Sequence, residues 1–195
     1  MTETKEKKTS EIKKEADEIS CPVKRAVYFV DEFLKGPMCG KCFPCEMGSY
    51  EALVRLRGIE GGSGAEDDLG ALRRIAGEML KTSRCKKGKD TANFIIEWID
   101  TDVFAGHIQG VCADKECMAL VEYVVIPDKC TNCALCHEAC KDNAITGEKA
   151  ATFLSEYVPF EISQERCTKC GECIKVCPEE AIELIDVMDA EGVEV

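Results

Sequence analysis

Two stretches of this chain, DKCTNCALCHEACKDNAI from Asp128 and ERCTKCGECIKVCPEEAI from Glu165, align without a gap. Each reads C-x2-C-x2-C-x3-C and then Ala-Ile after the same interval. A segment so crowded with thiols has little room for an ordinary apolar core. It must be held together by what its cysteines bind or by bonds among them. The whole chain has 15 cysteines in 195 residues. Their odd number, their x2 spacing and the lack of an apolar leader favour metal ligation in a reducing cytoplasm over a disulfide scaffold.

The repeat resembles the bacterial two-cluster ferredoxin, in which three cysteines of each motif hold the near [4Fe-4S] cluster and the fourth crosses to the other. The resemblance implies that Cys130, Cys133, Cys136 and Cys177 hold one cluster, and Cys167, Cys170, Cys173 and Cys140 the second. Cys177 is followed by the usual proline, whereas Cys140 is followed by Lys141, a departure that bears on the turn and not on the ligand. Zinc knuckles are the alternative, but zinc sites normally take their ligands as two separated pairs. His137 lies inside the first motif and is expected at the surface, not as a ligand.

A third set opens at MCGKCFPCEMG, where Cys39, Cys42 and Cys45 again stand at C-x2-C-x2-C. Three thiolates can grip one face of a cube-shaped cluster. The residues alone leave the fourth ligand open among Cys21, Cys85, Cys112 and Cys117. CGKCFPCEMG, then EGGSGAEDDLGALRRIA, then SRCKKG is similar in order to the C-terminal helical domain of the NADH-binding flavoprotein subunit of respiratory complex I. That domain is shared with NAD-linked hydrogenases and formate dehydrogenases. The resemblance implies Cys85 as the fourth ligand, and a cluster that staples helices remote in sequence.

His107, Cys112 and Cys117, with Cys21 as a distant fourth, would make a Cys3His site of the structural zinc type. The resemblance extends here: β subunits of electron-bifurcating [FeFe]-hydrogenases carry His-Ile, a C-x4-C pair and then a two-cluster ferredoxin in this order. Those relatives have a long flavin and NADH domain ahead of the helical one, and here only a short polar stretch precedes it. The glycines of EGGSGAEDD do not supply nucleotide binding. Glu66, Asp67 and Asp68 would favour a helix dipole and repel a pyrophosphate.

These motifs imply an α+β organisation. Residues 1–20 read as a charged, solvated tail, 21–106 as a four-helix bundle carrying one cluster, 107–124 as a zinc-site linker, and 125–195 as the ferredoxin-like domain. The net charge of −12 excludes the basic footprint a nucleic-acid partner needs. No stretch approaches the roughly 18 apolar residues of a membrane span. The expected function is electron transfer through three [4Fe-4S] clusters, with no catalytic residues, in a cytoplasmic multi-subunit oxidoreductase of the bifurcating hydrogenase, formate or aldehyde dehydrogenase type. Its partners would be flavin- or iron-sulfur-containing subunits, and soluble ferredoxin. An iron-sulfur redox sensor is the alternative.

Overall fold

The computed structural model describes residues 7–149 and 158–190, which form two compact units divided between Leu120 and Val121. The stretch expected as a linker is therefore shared: residues to Leu120 fold with the helices, and those from Val121 open the second unit.

The first unit has six helices among its described residues, not four: α1 Thr9–Asp17, α2 Pro22–Lys35, α3 Phe43–Glu60, α4 Glu66–Thr82, α5 Lys86–Ile99 and α6 Asp102–Ile108. Two local features account for the difference. The apolar pattern of TANFIIEWIDTDVFAG looks continuous, but Thr101 takes the N-cap position of a new helix and its hydroxyl donates to the Trp98 carbonyl at 2.9 Å. Thr followed by Asp is a helix-start signal, and it wins over the apolar period.

The second correction concerns the described part of the expected tail, residues 7–20, because α1 is docked; residues 1–6 lie outside the described residues. Ile12 and Ala16, one turn apart, are fully buried, and Lys13 Nζ lies 4.3 Å from the centre of the Phe94 ring on α5. Glu11 accepts from the Lys8 N–H at 2.9 Å, and Glu15 accepts from Lys7 at 2.7 Å and from the Tyr28 hydroxyl. The Arg25 guanidinium donates twice to the Ile19 carbonyl, at 3.1 and 2.8 Å, and fixes the turn into α2. Two apolar side chains at i, i+4 suffice when a complementary surface exists, since burying one isoleucine contributes about 1.5–3 kcal/mol.

The core joins Phe29 and Phe33 of α2 to Leu56 and Ile59 of α3, Leu72 and Met79 of α4, and Ile95 and Ile99 of α5. Phe29 meets Phe94 and Trp98 edge-on, with centroids at 4.8 and 5.7 Å, a favoured aromatic geometry. After α6 the chain runs without regular structure to the buried Leu120, which lies against the α3–α4 turn. Gly62 makes that approach possible: its φ is +74°, and a Cβ there would stand 3.1 Å from Leu120.

The second unit pairs β1 Val121–Val125 antiparallel with β4 Ile182–Asp186, in register Tyr123 with Leu184, and β2 Ile145–Thr146 antiparallel with β3 Glu161–Ile162. Helices α7 Leu135–Ala139 and α8 Glu172–Val176 pack on each other, and α9 Val187–Ala190 follows β4. Gln164 donates to the carbonyls of Tyr123 and Ile162, tying β1 to β3. The sequence repeat is a backbone repeat as well. Left-handed residues Asn132, Ala134 and Asn143 of the first motif recur as Lys169, Gly171 and Glu180 of the second, at the same offset as the cysteines.

Candidate metal centres

Three helices of the first unit begin directly after a cysteine: Cys21 takes the N-cap position of α2, Cys42 that of α3 and Cys85 that of α5. Pro22 and Pro44, in the first turns of α2 and α3, cost no hydrogen bond there. An N-cap residue has extended backbone, so its side chain leaves at the positive end of the helix, where a thiolate is favoured. The start of α3 and the start of α5 meet. Cys39, Cys42, Cys45 and Cys85 line one pocket, with Lys41 and Lys87 at its wall. Burial first, and then its neighbours Cys42, Cys85 and Cys39, push the Cys45 thiol up to about 11. Four thiolates gathered this closely repel one another unless cationic metal lies between them.

Two further observations fit a group at this cavity. A Cβ on Gly88 would stand 2.9 Å from Cys45 Sγ, so the first turn of α5 is pressed close against the triplet. Lys41 and Lys87 line the cavity, Lys87 donates to the Pro37 carbonyl at 3.2 Å, and Arg84, Lys86 and Lys89, close to Cys85 in sequence, are exposed.

The second centre is tighter. Ligand atoms of Cys21, His107, Cys112 and Cys117 lie within 4.8 Å of one another, and all four residues are buried. His107 Nε2 is 3.3 Å from the sulfurs of both Cys21 and Cys117, which are 3.7 Å apart. A tetrahedron with metal–sulfur bonds of about 2.3 Å places its sulfurs about 3.8 Å apart. The spacing therefore fits one zinc-sized ion. His107 Nδ1 lies 2.8 Å from the Val103 carbonyl; as the donor there it leaves Nε2 free to ligate. Hydrogen bonds with Cys117 and, more weakly, His107 hold the Cys21 thiol down against the cost of its burial. Cys117, bonded to Cys21 and buried, is pushed strongly up.

In the second unit, Cys130, Cys133, Cys136 and Cys177 line one pocket, and Cys140, Cys167, Cys170 and Cys173 another. Each fourth cysteine thus joins the other motif's triplet. The two cavities repeat in detail: the Ala144 N–H donates to Cys140 Sγ at 3.3 Å, and the Ala181 N–H to Cys177 Sγ at 3.3 Å. Burial raises Cys136, and raises Cys173 to about 11. Among the described residues the Cys3His set is the one group close enough to share a single ion. The four-cysteine sets, not gathered about one point in this way, suit a cubane, in which each sulfur binds a different iron.

His137 is exposed, as expected, and its ring is fixed by the Ile145 carbonyl at 2.7 Å. Sequence reasoning missed Gly88 and the Val103 carbonyl. The latter had a signal, since it lies one helical turn before His107. The glycine loop leads into α4 with Asp68 accepting the Ala65 N–H at 2.8 Å, a helix-start role.

Residues 25–102 match the NADH-ubiquinone oxidoreductase-F iron-sulfur binding region, and residues 129–181 match the 4Fe-4S dicluster domain. The chain is 36% identical over 138 residues to the HndC subunit of the NADP-reducing hydrogenase of Solidesulfovibrio fructosivorans, covering 68% of this chain and 28% of that protein. It is 38% identical over 96 residues to the F subunit of the NADH-quinone oxidoreductase of Streptomyces coelicolor, covering 48% and 21%. Identity to the beta subunit of the NADP(+)-dependent formate dehydrogenase of Moorella thermoacetica is 37% over 70 residues, covering 34% and 10%. The chain therefore spans less than a third of the length of these relatives.

Proposed function

We propose that this chain, an iron-sulfur electron-transfer protein related to NADP-reducing hydrogenase and formate dehydrogenase subunits, relays single electrons through three [4Fe-4S] clusters within a multi-subunit oxidoreductase. The observation that carries the reading is the sorting of twelve cysteines into three separate four-cysteine cavities. Cys39, Cys42, Cys45 and Cys85 hold one cluster; Cys130, Cys133, Cys136 and Cys177 the second; Cys167, Cys170, Cys173 and Cys140 the third. Each cluster supplies a site that takes up and gives back one electron at a potential set by its ligands, hydrogen bonds and exposure.

The protein's own part is to hold and tune. Main-chain N–H groups of Ala144 and Ala181 donate to cysteine sulfurs, and burial of Cys45, Cys136 and Cys173 excludes water from one side of each centre. Cys21, His107, Cys112 and Cys117 bind a structural zinc that ties the segment after α6 to the start of α2. The basic rim at the mouth of the first cavity gives an acidic partner subunit a place to dock near that cluster. The partners are flavin- or iron-sulfur-containing subunits, with soluble ferredoxin as a terminal donor or acceptor in a bifurcating assembly. Among the described residues no helix is long and apolar enough to cross a membrane.

Anaerobic purification followed by iron and sulfide analysis tests the cluster count. About twelve of each per chain is the expected result, and about eight would remove one cluster from the reading. Co-purification from the source organism with mass spectrometry names the partners, and recovery of the chain alone would count against an obligate complex.

A further inference from the structure

Buried polar atoms in folded proteins almost always have partners, and one without a partner calls for an explanation. Ser83 Oγ is such an atom: its residue is 4% exposed, and the hydroxyl has no hydrogen-bond partner among the described residues. The main chain at this position does not share the defect, because the Ser83 N–H donates to the Met79 carbonyl at 2.9 Å as α4 ends. Only the hydroxyl is left over, and it sits two residues before Cys85.

Its surroundings point to what it serves. A Cβ built on Gly88 would lie 2.8 Å from Ser83 Oγ and 2.9 Å from Cys45 Sγ. The hydroxyl and the thiol therefore share the space left free by the missing side chain of Gly88. Cys45 is the most buried of the four cysteines around this cavity. Ala144 and Ala181 supply main-chain donors to sulfur in the second unit, and among the described residues no main-chain N–H does the same for Cys45. An unused donor and a buried sulfur thus both lie against the first turn of α5 at Gly88.

We propose that Ser83 donates its hydroxyl proton to sulfur at the Cys45 corner of the cluster in the first unit, and that this bond raises the cluster's reduction potential. The inference rests on the reading that this cavity holds a [4Fe-4S] cluster. A donor to cluster sulfur stabilises the reduced state, which carries one more negative charge, over the oxidised state. Ser83 is a positioning and tuning residue: it binds no iron, and its removal leaves all four thiolates in place. Gly88 is required beside it, since any side chain there would separate donor from acceptor.

The test uses the full chain, purified anaerobically, with Ser83→Ala. The signal of this cluster is first assigned as the EPR component lost in Cys85→Ser; if Cys85→Ser loses no iron, the ligand reading fails and the inference with it. With the signal assigned, Ser83→Ala keeps its iron, and the midpoint of that component moves to more negative potential while the two other clusters keep theirs. An unchanged midpoint at full iron content overturns the proposal. A second measurement needs no stable Ser83 variant: in the parent protein, exchange into D2O removes an exchangeable proton coupling from the reduced cluster's hyperfine spectrum. Absence of any exchangeable coupling also overturns it.

Discussion

Cys21 Sγ and His107 Nε2 stand 3.3 Å apart across 86 residues of sequence. That contact joins the N-cap of α2 to the last turn of α6, and Cys112 and Cys117 complete it from the irregular segment that follows. A metal here would replace regular hydrogen bonding as the means of holding residues 109–120, because binding an ion couples directly to folding.

Cys117→Ser is expected to lose one zinc per chain and no iron. The thermal midpoint of the first unit falls, since the loop from α6 to Leu120 loses its anchor. Metal analysis beside calorimetry checks both, and a loss of about four iron would reassign Cys117 to a cluster.

Cys85→Ser should remove about four iron and four sulfide and leave the eight cysteines of the second unit loaded. Unchanged iron would mean that the cluster at Cys39, Cys42 and Cys45 takes its fourth ligand elsewhere.

Gly88→Ala should resemble Cys85→Ser more than an ordinary helix substitution. Alanine normally favours a helix by about 1 kcal/mol over glycine, but here its methyl would meet Ser83 and Cys45 at 2.8 and 2.9 Å. Iron in the first unit should fall, and full loading with raised stability would show that α5 can shift freely.

Ile12→Ala should destabilise the first unit by about 2–4 kcal/mol, the usual cost of emptying a buried aliphatic site. Denaturant unfolding followed through Trp98 reports it. A change within about 0.5 kcal/mol, the range of surface substitutions, would restore α1 to a solvated tail.

Acid should loosen the same helix. The Lys7 ammonium, and then the Tyr28 hydroxyl, hold the Glu15 carboxyl below its usual range. A lowered folded-state pKa stabilises the fold fully above the ordinary carboxylate range and loses that contribution as pH falls through the lowered value. Amide exchange in α1 should therefore quicken in acid, and Glu15→Gln should flatten the dependence. An identical pH profile in the variant would show that the network does not hold the helix.

The repeated cysteine spacing by itself marked the second unit as a paired metal-ligand module, since three cysteines two apart come to one turn; that each fourth cysteine joins the other triplet was implied by the ferredoxin resemblance and is seen in the two cavities. The triplet at Cys39 was equally plain, but its fourth residue was open until a resemblance pointed to Cys85, because helix meetings are not written in local spacing. The zinc-type set mixes the two, with Cys112 and Cys117 close in sequence to His107 and Cys21 brought in by the fold. What only the tertiary structure decided lies where distant surfaces meet. Ile12 and Ala16 are too few to mark α1 as buried until α2 and α5 offer a surface, and the break at Thr101 lets α6 turn His107 toward Cys21. Ser83 and Gly88 look like ordinary residues flanking a cysteine. Their significance arises from the packing of the first turn of α5 against Cys45, a distance that sequence periodicity does not encode.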